Sequence, residues 1–188
     1  MVSAYFGLPG CGKTTIMAKH AQKAIKRKIK VYSNVYIAGT YKFNLHSDLG
    51  KYDMSDSLIL IDEATLEVDS RDFKKFSKEL KSAFLLHRHY RCNINYYTQQ
   101  YDGVDKKIRD ITCNLYYLRI LFFLTTQTQI YRKITITESD EEIKYGYRFP
   151  NFLEVIIGAT RFHLRPRYYK FFDSWEAPEL PIKSFEKW

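Results

Sequence analysis

The opening of the chain carries its strongest constraint. Gly7-Leu8-Pro9-Gly10-Cys11-Gly12-Lys13-Thr14 fits the phosphate-binding pattern G-x-x-x-x-G-K-[ST]. Val2 to Phe6 before it is a short apolar run that reads as a buried strand, and Thr14 to Lys26 after it reads as an amphipathic helix. Glycines at 7, 10 and 12 permit positive φ and close backbone approach, so successive N–H groups can converge on an anion. The helix N-terminus adds free N–H groups and the positive end of its dipole. The pattern therefore predicts an ATP phosphate cradle over Gly7, Leu8, Pro9, Gly10, Cys11, Gly12, Lys13, Thr14 and Thr15. Lys13 is expected to reach the β- and γ-phosphates, and the Thr14 hydroxyl to ligate Mg²⁺. Cys11 fills a variable position as a small spacer, although a helix N-terminus lowers a thiol pKa.

A second anchor lies about 50 residues downstream, within the span of a mononucleotide-binding half-sheet. Ser57-Leu58-Ile59-Leu60-Ile61-Asp62-Glu63 is an apolar run closing on two acids, the form of a buried parallel strand with carboxylates at its carboxyl edge. In such a site Asp62 holds the Mg²⁺ shell and Glu63 polarises the attacking water. Arg71 to His89 reads as a long helix with Phe73, Phe76, Leu80 and Phe84 at helical spacing. Asn93 to Thr98 is a further strand, and Gln99 or Gln100 at its tip is the candidate polar sensor of the γ-phosphate.

Elsewhere the pattern is less specific. Val31 to Ile37 reads as a strand, residues 39–56 as a polar loop, and Gly103 to Asp110 as helical. Cys113 to Leu124 and Gln127 to Thr137 read as a hairpin with Thr125-Thr126 at the turn, followed by an acidic loop at Ser139 to Glu142. Tyr145 to Phe172 again reads as strand. These signals predict one α/β domain over residues 1–175: a P-loop NTPase core with a mainly parallel sheet flanked by helices, plus C-terminal antiparallel β hairpins. Residues 176–188 read as an extended tail. The sixteen Tyr and thirteen Phe suit a strand-rich fold.

A formal charge of +9 favours polyanionic partners, nucleic acid first and acidic membrane surface second. The run from Lys23 to Lys30, five basic residues in eight, reads first as a solvated helix end suited to the C-terminal dipole and second as a nucleic-acid contact. Cys11, Cys92 and Cys113 show neither C-x-x-C pairing nor a histidine cluster, which argues against zinc or a disulfide framework and for a reducing cytoplasm. Met1 leads almost directly into the first strand, so no signal peptide is expected. The apolar stretch around Leu118 to Leu124 contains Arg119 and is too short to span a bilayer.

Taken in order, the N-terminal phosphate loop, Leu60-Ile61-Asp62-Glu63-Ala64, His87-Arg88-His89, Thr98-Gln99-Gln100, Asp105-x-x-Ile108-Arg109 and the closing Tyr169-x-x-Phe172-Asp173-Ser174 resemble the zonula occludens toxin (Zot) family, which includes the assembly ATPases of filamentous phages. The resemblance implies a P-loop ATPase of the FtsK/HerA type that works as a homo-oligomeric, hexameric ring in phage assembly or DNA export. It also implies Arg88 as the arginine acting in trans, with Arg91 and Arg109 competing for that role, and DNA and phage or membrane assembly proteins as partners. Phage-assembly members continue into a membrane span and an external domain. This sequence has neither, so a motor in the host cytoplasm is expected, soluble or peripheral at the inner membrane through a partner. The alternative is an assembly or secretion factor that acts on protein partners without touching DNA.

Overall fold

Side-chain parity along the first strands dictates a sheet covered on both faces. In β1 (Val2–Phe6), Val2 and Ala4 enter one core and Tyr5 the other; in β4 (Ser57–Ile61), Ile59 and Ile61 oppose Leu58 and Leu60 in the same way. Such strands have no polar face, so each must be sandwiched between layers. The computed structural model describes residues 1–64, 78–136 and 143–173. In it β1 pairs in parallel with β5 (Asn93–Thr98) on one side and β6 (Asn114–Leu121) on the other. β5 continues to β4, then to β2 (Lys30–Ser33) and the short β3 (Tyr41–Lys42), all parallel. β7 (Leu124–Ile136) folds back antiparallel on β6 and carries β8 (Ile143–Arg148) and β9 (Thr160–Leu164) along its other edge. The chain is thus an α/β fold with a mainly parallel sheet and an antiparallel extension.

Helix α1 (Lys13–Lys26) covers one face, burying Ile16, Met17, Ala18 and Ala21 against Val31, Leu60 and Leu118. On the other face lie α2 (Leu45–Asp48), α3 (Lys78–Leu86) and α4 (Lys106–Ile111), which contribute Leu45, Leu80, Phe84 and Ile108. Much of the tyrosine content is spent inside. Tyr97, Tyr5 and Tyr116 sit opposite one another on β5, β1 and β6, and Tyr5 stacks on both neighbours at centroid distances of 5.0 and 4.9 Å. Offset stacking adds about 0.5–1.5 kcal/mol per pair to the burial itself.

Four sequence expectations change. The strand at Val31 ends at Ser33, where the Ser33 hydroxyl turns back to donate to Val35 O at 2.7 Å. The stretch 39–56 is not a plain loop: Asn44 caps α2, and Phe43, Leu45, Leu49 and Met54 are buried in the core. Hydrophobic residues spaced between Asn, Ser and Asp disguise this as a polar segment. The hairpin turns at Phe122-Phe123, since Leu121 pairs with Leu124, and this places Thr125 inside β7. Finally, Tyr145 to Phe172 is only partly strand. β8 is followed by the single turn α5 (Phe152–Glu154), a π-type turn over Val155–Ala159, β9, and a 3-10 segment over Pro166–Phe171. Asn151 and Glu154 form a capping box that starts α5, and Pro166 supplies the fixed φ that opens the 3-10 segment. The expected helix start at Arg71 with Phe73 and Phe76, the acidic loop and the tail at 176–188 lie outside the described residues.

Under α1 two histidines are held neutral, a half-buried His20 against β1 and β5 and a buried His163 in the antiparallel extension. His20 Nδ1 accepts from the Tyr97 hydroxyl at 2.8 Å, and burial, reinforced by Lys19, lowers its pKa to about 3. His163 Nδ1 accepts from Lys19 Nζ at 2.7 Å while its Nε2–H donates to Gln127 Oε1 at 3.0 Å. Burial, then the charge of Lys19, lowers its pKa to about 4. A histidine with a depressed folded pKa binds fewer protons folded than unfolded. Its stabilising contribution is therefore complete above the unfolded value near 6.5 and is lost as pH falls towards 4. In His163→Gln the amide accepts from Lys19 and donates to Gln127 without titrating. Urea unfolding between pH 6.5 and 4 should show the native chain losing up to about 3 kcal/mol more than this variant. Parallel pH profiles would show that His163 is not held neutral.

Candidate nucleotide site

The site is built where β1, β4 and β5 end together. β1 delivers the chain to Gly7, whose N–H donates to Thr98 O at 3.2 Å, so the loop leaves the sheet from a fixed point. A Cβ on Gly7 would collide with Leu118 O of β6. Gly12 stands at φ 96° against the Thr125 hydroxyl, which itself donates to Cys11 O at 3.0 Å. Thr125 is buried beneath the loop and supports it from a strand more than a hundred residues away. Sequence reading missed this residue by placing it in a turn.

The Cys11 side chain points into the core under α1, and burial raises its thiol pKa despite the nearby charge of Lys13. The helix-terminus effect expected from sequence is outweighed by desolvation, and the residue is a spacer. Lys13 is buried, and its Nζ donates to Gly7 O at 3.1 Å and Leu8 O at 3.4 Å, across the mouth of the loop. Pro9, Gly10, Gly12, Lys13, Thr14 and Thr15 line one side of a cleft of about 290 Å³.

Asp62 and Glu63 line the opposite side. The end of β4 is clamped by Asn34, another residue the sequence did not single out. Its Nδ2 donates to Asp62 O at 3.0 Å, and its Oδ1 accepts from Asp62 N–H at 2.7 Å. Glu63 then takes a left-handed backbone, φ 47°, unusual for a glutamate and costly by about 1 kcal/mol or more. Burial first and the Glu63 charge second raise the Asp62 pKa to about 6, although the Glu63 N–H and Lys13 pull it down. Glu63 Oε1 accepts from Gln99 Nε2 at 3.1 Å. Gln99, not Gln100, is thus brought into the cleft; Gln100 is exposed, and its carbonyl accepts from Thr98 Oγ1.

None of the three candidate trans arginines reaches this cleft from its own chain. Arg88 lies near the Met1 amine, at the end of β1 opposite the phosphate loop. Arg91 pairs with Asp56 at 2.6 Å, and Arg109 with Asp102 at 3.0 Å. The arginine that does line the cleft is Arg165, at the start of the 3-10 segment, with Tyr169 and Phe172 beside it. Its guanidinium lies 6.0 Å from the Tyr169 ring centroid, and its buried Nε has no partner among the described residues. No local pattern links Arg165 to a loop so far away in sequence. The run of basic and aromatic residues around it was the only available signal.

A family model described as Zonular occludens toxin (Zot) matches residues 38–145 of the chain. No curated protein matches the sequence. Among solved structures, the N-terminal domain of zonular occludens toxin from Neisseria meningitidis is similar over 92% of this chain and 98% of that one, with a TM-score of 0.60 and 15% identity. The genome packaging NTPase B204 from Sulfolobus turreted icosahedral virus 2, in complex with ATP-gammaS, is similar over 77% of this chain and 95% of that one, with a TM-score of 0.50 and 12% identity. At these identities the likeness is one of fold.

The close approach of Gly12 and Thr125 is testable. Gly12→Ala should lower stability by roughly 2 kcal/mol or more, because the side chain both collides and must adopt a left-handed φ. The double variant with Thr125→Ala relieves the collision but loses the Thr125 hydrogen bond to Cys11 O and keeps the left-handed strain, so it should recover only part of the loss. Urea titrations that find Gly12→Ala neutral would contradict this geometry.

Proposed function

The chain belongs to the zonular occludens toxin family, whose model matches more than half of it, and on that premise we propose an ATP-hydrolysing motor for phage or mobile-element DNA. It would act as a homo-oligomeric ring in packaging, extrusion or transfer. The carrying observation is that one cleft gathers Lys13, Thr14, Asp62, Glu63 and Gln99 from three different parts of the chain. Each is the residue type its station requires in phosphoanhydride hydrolysis.

The chemistry follows from the geometry. Loop amides and Lys13 take the charge of the β- and γ-phosphates, in a setting where fixed donors need no reorganisation during the reaction. The donor set fits Mg²⁺. The Thr14 hydroxyl is a neutral oxygen ligand, and Asp62 is a half-buried carboxyl with no ion pair among the described residues, whose ionised form a cation would favour. Held there, the ion would neutralise charge between the two phosphates. Glu63, oriented by its backbone turn and by Gln99, accepts the proton of the attacking water. Because Gln99 contacts Glu63 directly, movement of the glutamine towards a γ-phosphate shifts the base as well.

Two observations support the DNA-directed reading: the net charge of +9 and the likeness in fold to a genome packaging NTPase. A second reading, an assembly factor acting on protein partners, is favoured by exposed apolar side chains in two places, at opposite ends of the β7–β9 pairing. Phe122 at the hairpin tip is 86% exposed and Ile157 on the π-type turn 85%, with Phe123, Phe152, Leu153 and Ile156 also exposed. Surfaces of this kind are usually covered by a partner; in the ring, a neighbouring subunit would serve. Among the described residues no helix is long and apolar enough to cross a membrane. We place the motor in the host cytoplasm, peripheral to the inner membrane through a partner, and as a single domain over residues 1–175.

Lys13→Ala should abolish ATP hydrolysis, and Glu63→Gln should retain ATP binding while turnover falls by about 10² or more. Normal turnover in either variant removes that residue from its role. Hydrolysis measured with single- and double-stranded DNA across a salt series should show stimulation that fades as salt rises, because phosphate contacts release counterions. Hydrolysis indifferent to every nucleic acid would favour the protein-directed reading.

A further inference from the structure

At the end of the sheet opposite the phosphate loop lies a second cavity, of about 340 Å³. Ile59 of β4 and Ile94 of β5 form part of its apolar wall. His87, on the turn after α3, is only 5% exposed and also lines it. The His87 Nδ1–H donates to Phe84 O at 2.7 Å, which assigns the proton to that nitrogen and leaves Nε2 as a lone-pair acceptor. Nε2 is buried and has no partner among the described residues. Burial keeps the ring neutral by lowering its pKa, with the Met1 amine and Arg88 adding to the effect. A buried acceptor without a donor is destabilising, and a ligand N–H that reaches it relieves that cost.

The mouth of the cavity is aromatic. Tyr52 is 71% exposed and Tyr90 48% exposed, and both line the cavity; neither ring stacks on another among the described residues. Lys51 is on the same rim, and Arg88 follows His87 directly. The volume is at the small end of ligand pockets, enough for one planar heterocycle and too little for an extended ligand. Arg91 is paired with Asp56, and Asp53, held ionised by hydrogen bonds from Ser55, offsets Lys51 on the same rim, so the charge left over near the mouth is that of Arg88.

We propose that this cavity takes one unstacked base of a single-stranded nucleic acid, its ring against Tyr52 and Tyr90, a base N–H donating to His87 Nε2, and the flanking phosphates on Lys51 and Arg88. Aromatic stacking with a groove of cations is how proteins hold single strands without reading sequence. The inference rests on the DNA-directed reading above and gives it a contact point. It also gives a route of coupling. Ile59 and Ile94 touch the base cavity, and the same two strands end at Asp62 and Gln99 in the nucleotide cleft.

The test is equilibrium binding of a short labelled single-stranded oligodeoxycytidylate against an abasic oligomer of equal length, alongside DNA-free ATP hydrolysis. The native chain should prefer the base-bearing strand by about tenfold or more, from the 1–3 kcal/mol typical of a stacked base. Tyr52→Ala with Tyr90→Ala should abolish the preference and leave DNA-free hydrolysis unchanged, since neither residue touches the nucleotide cleft. His87→Leu should reduce the preference while residual abasic binding stays the same. Equal affinity for both strands, no binding of either, or a preference that survives the double tyrosine change overturns the cavity assignment. DNA-stimulated hydrolysis that persists in the tyrosine variant overturns the cavity while leaving the motor reading intact. A base preference without any DNA effect on hydrolysis does the reverse.

Discussion

A phosphate-binding loop has to keep a run of amides unpaired and facing solvent while sitting on top of an apolar sheet, and the rest of this structure is arranged around meeting that demand. Unsatisfied amides do not hold their own shape, so the loop is fastened from beneath. Gly7 N–H is tied to Thr98 O of β5, Cys11 O to the Thr125 hydroxyl of β7, and Gly7 and Gly12 are packed too closely on β6 and β7 for any side chain. The central place of β1 follows. Because β1, β5 and β4 are adjacent and parallel, the loop, the Gln99 end of β5 and the Asp62-Glu63 end of β4 come to one edge.

The antiparallel extension is part of the same support. β7 supplies Thr125, and Arg165 at the end of β9 donates its backbone N–H to Phe123 O before turning into the cleft. Beneath these strands the chain uses neutral histidines in place of apolar side chains. His163 bonds Lys19 of α1 to Gln127 of β7, so the helix that begins at the phosphates is attached to the strand that props up the loop. Neutral imidazole suits this position because it accepts on one nitrogen and donates on the other.

The two ends of the sheet differ in chemistry. One presents backbone amides, Lys13 and carboxylates; the other presents exposed tyrosines above a buried histidine. β4 and β5 run between them, five and six residues long, short enough to behave as rigid struts. If the chain is the motor proposed above, the parallel core would make its fuel site and its grip on the cargo mechanically continuous.

Local sequence determined the strand, loop and helix at the N-terminus, the acidic end of β4 and the amide at the tip of β5. These are short-range signals: a residue spacing set by phosphate geometry, an apolar run that must be buried on both faces, and a polar group where a strand stops. It also put Asp62 and Glu63 side by side at that strand end, and both line the cleft. Only the tertiary structure decided between Gln99 and Gln100, since that choice depends on which of them faces Glu63 across the gap between strands. It placed Arg88 at the far end and Arg165 in the cleft, showed desolvation outweighing the helix terminus at Cys11, and turned Thr125 from a loop residue into a prop. Each of these rests on a contact between residues remote in sequence or on the balance of burial against charge, and neither quantity exists until the chain has folded.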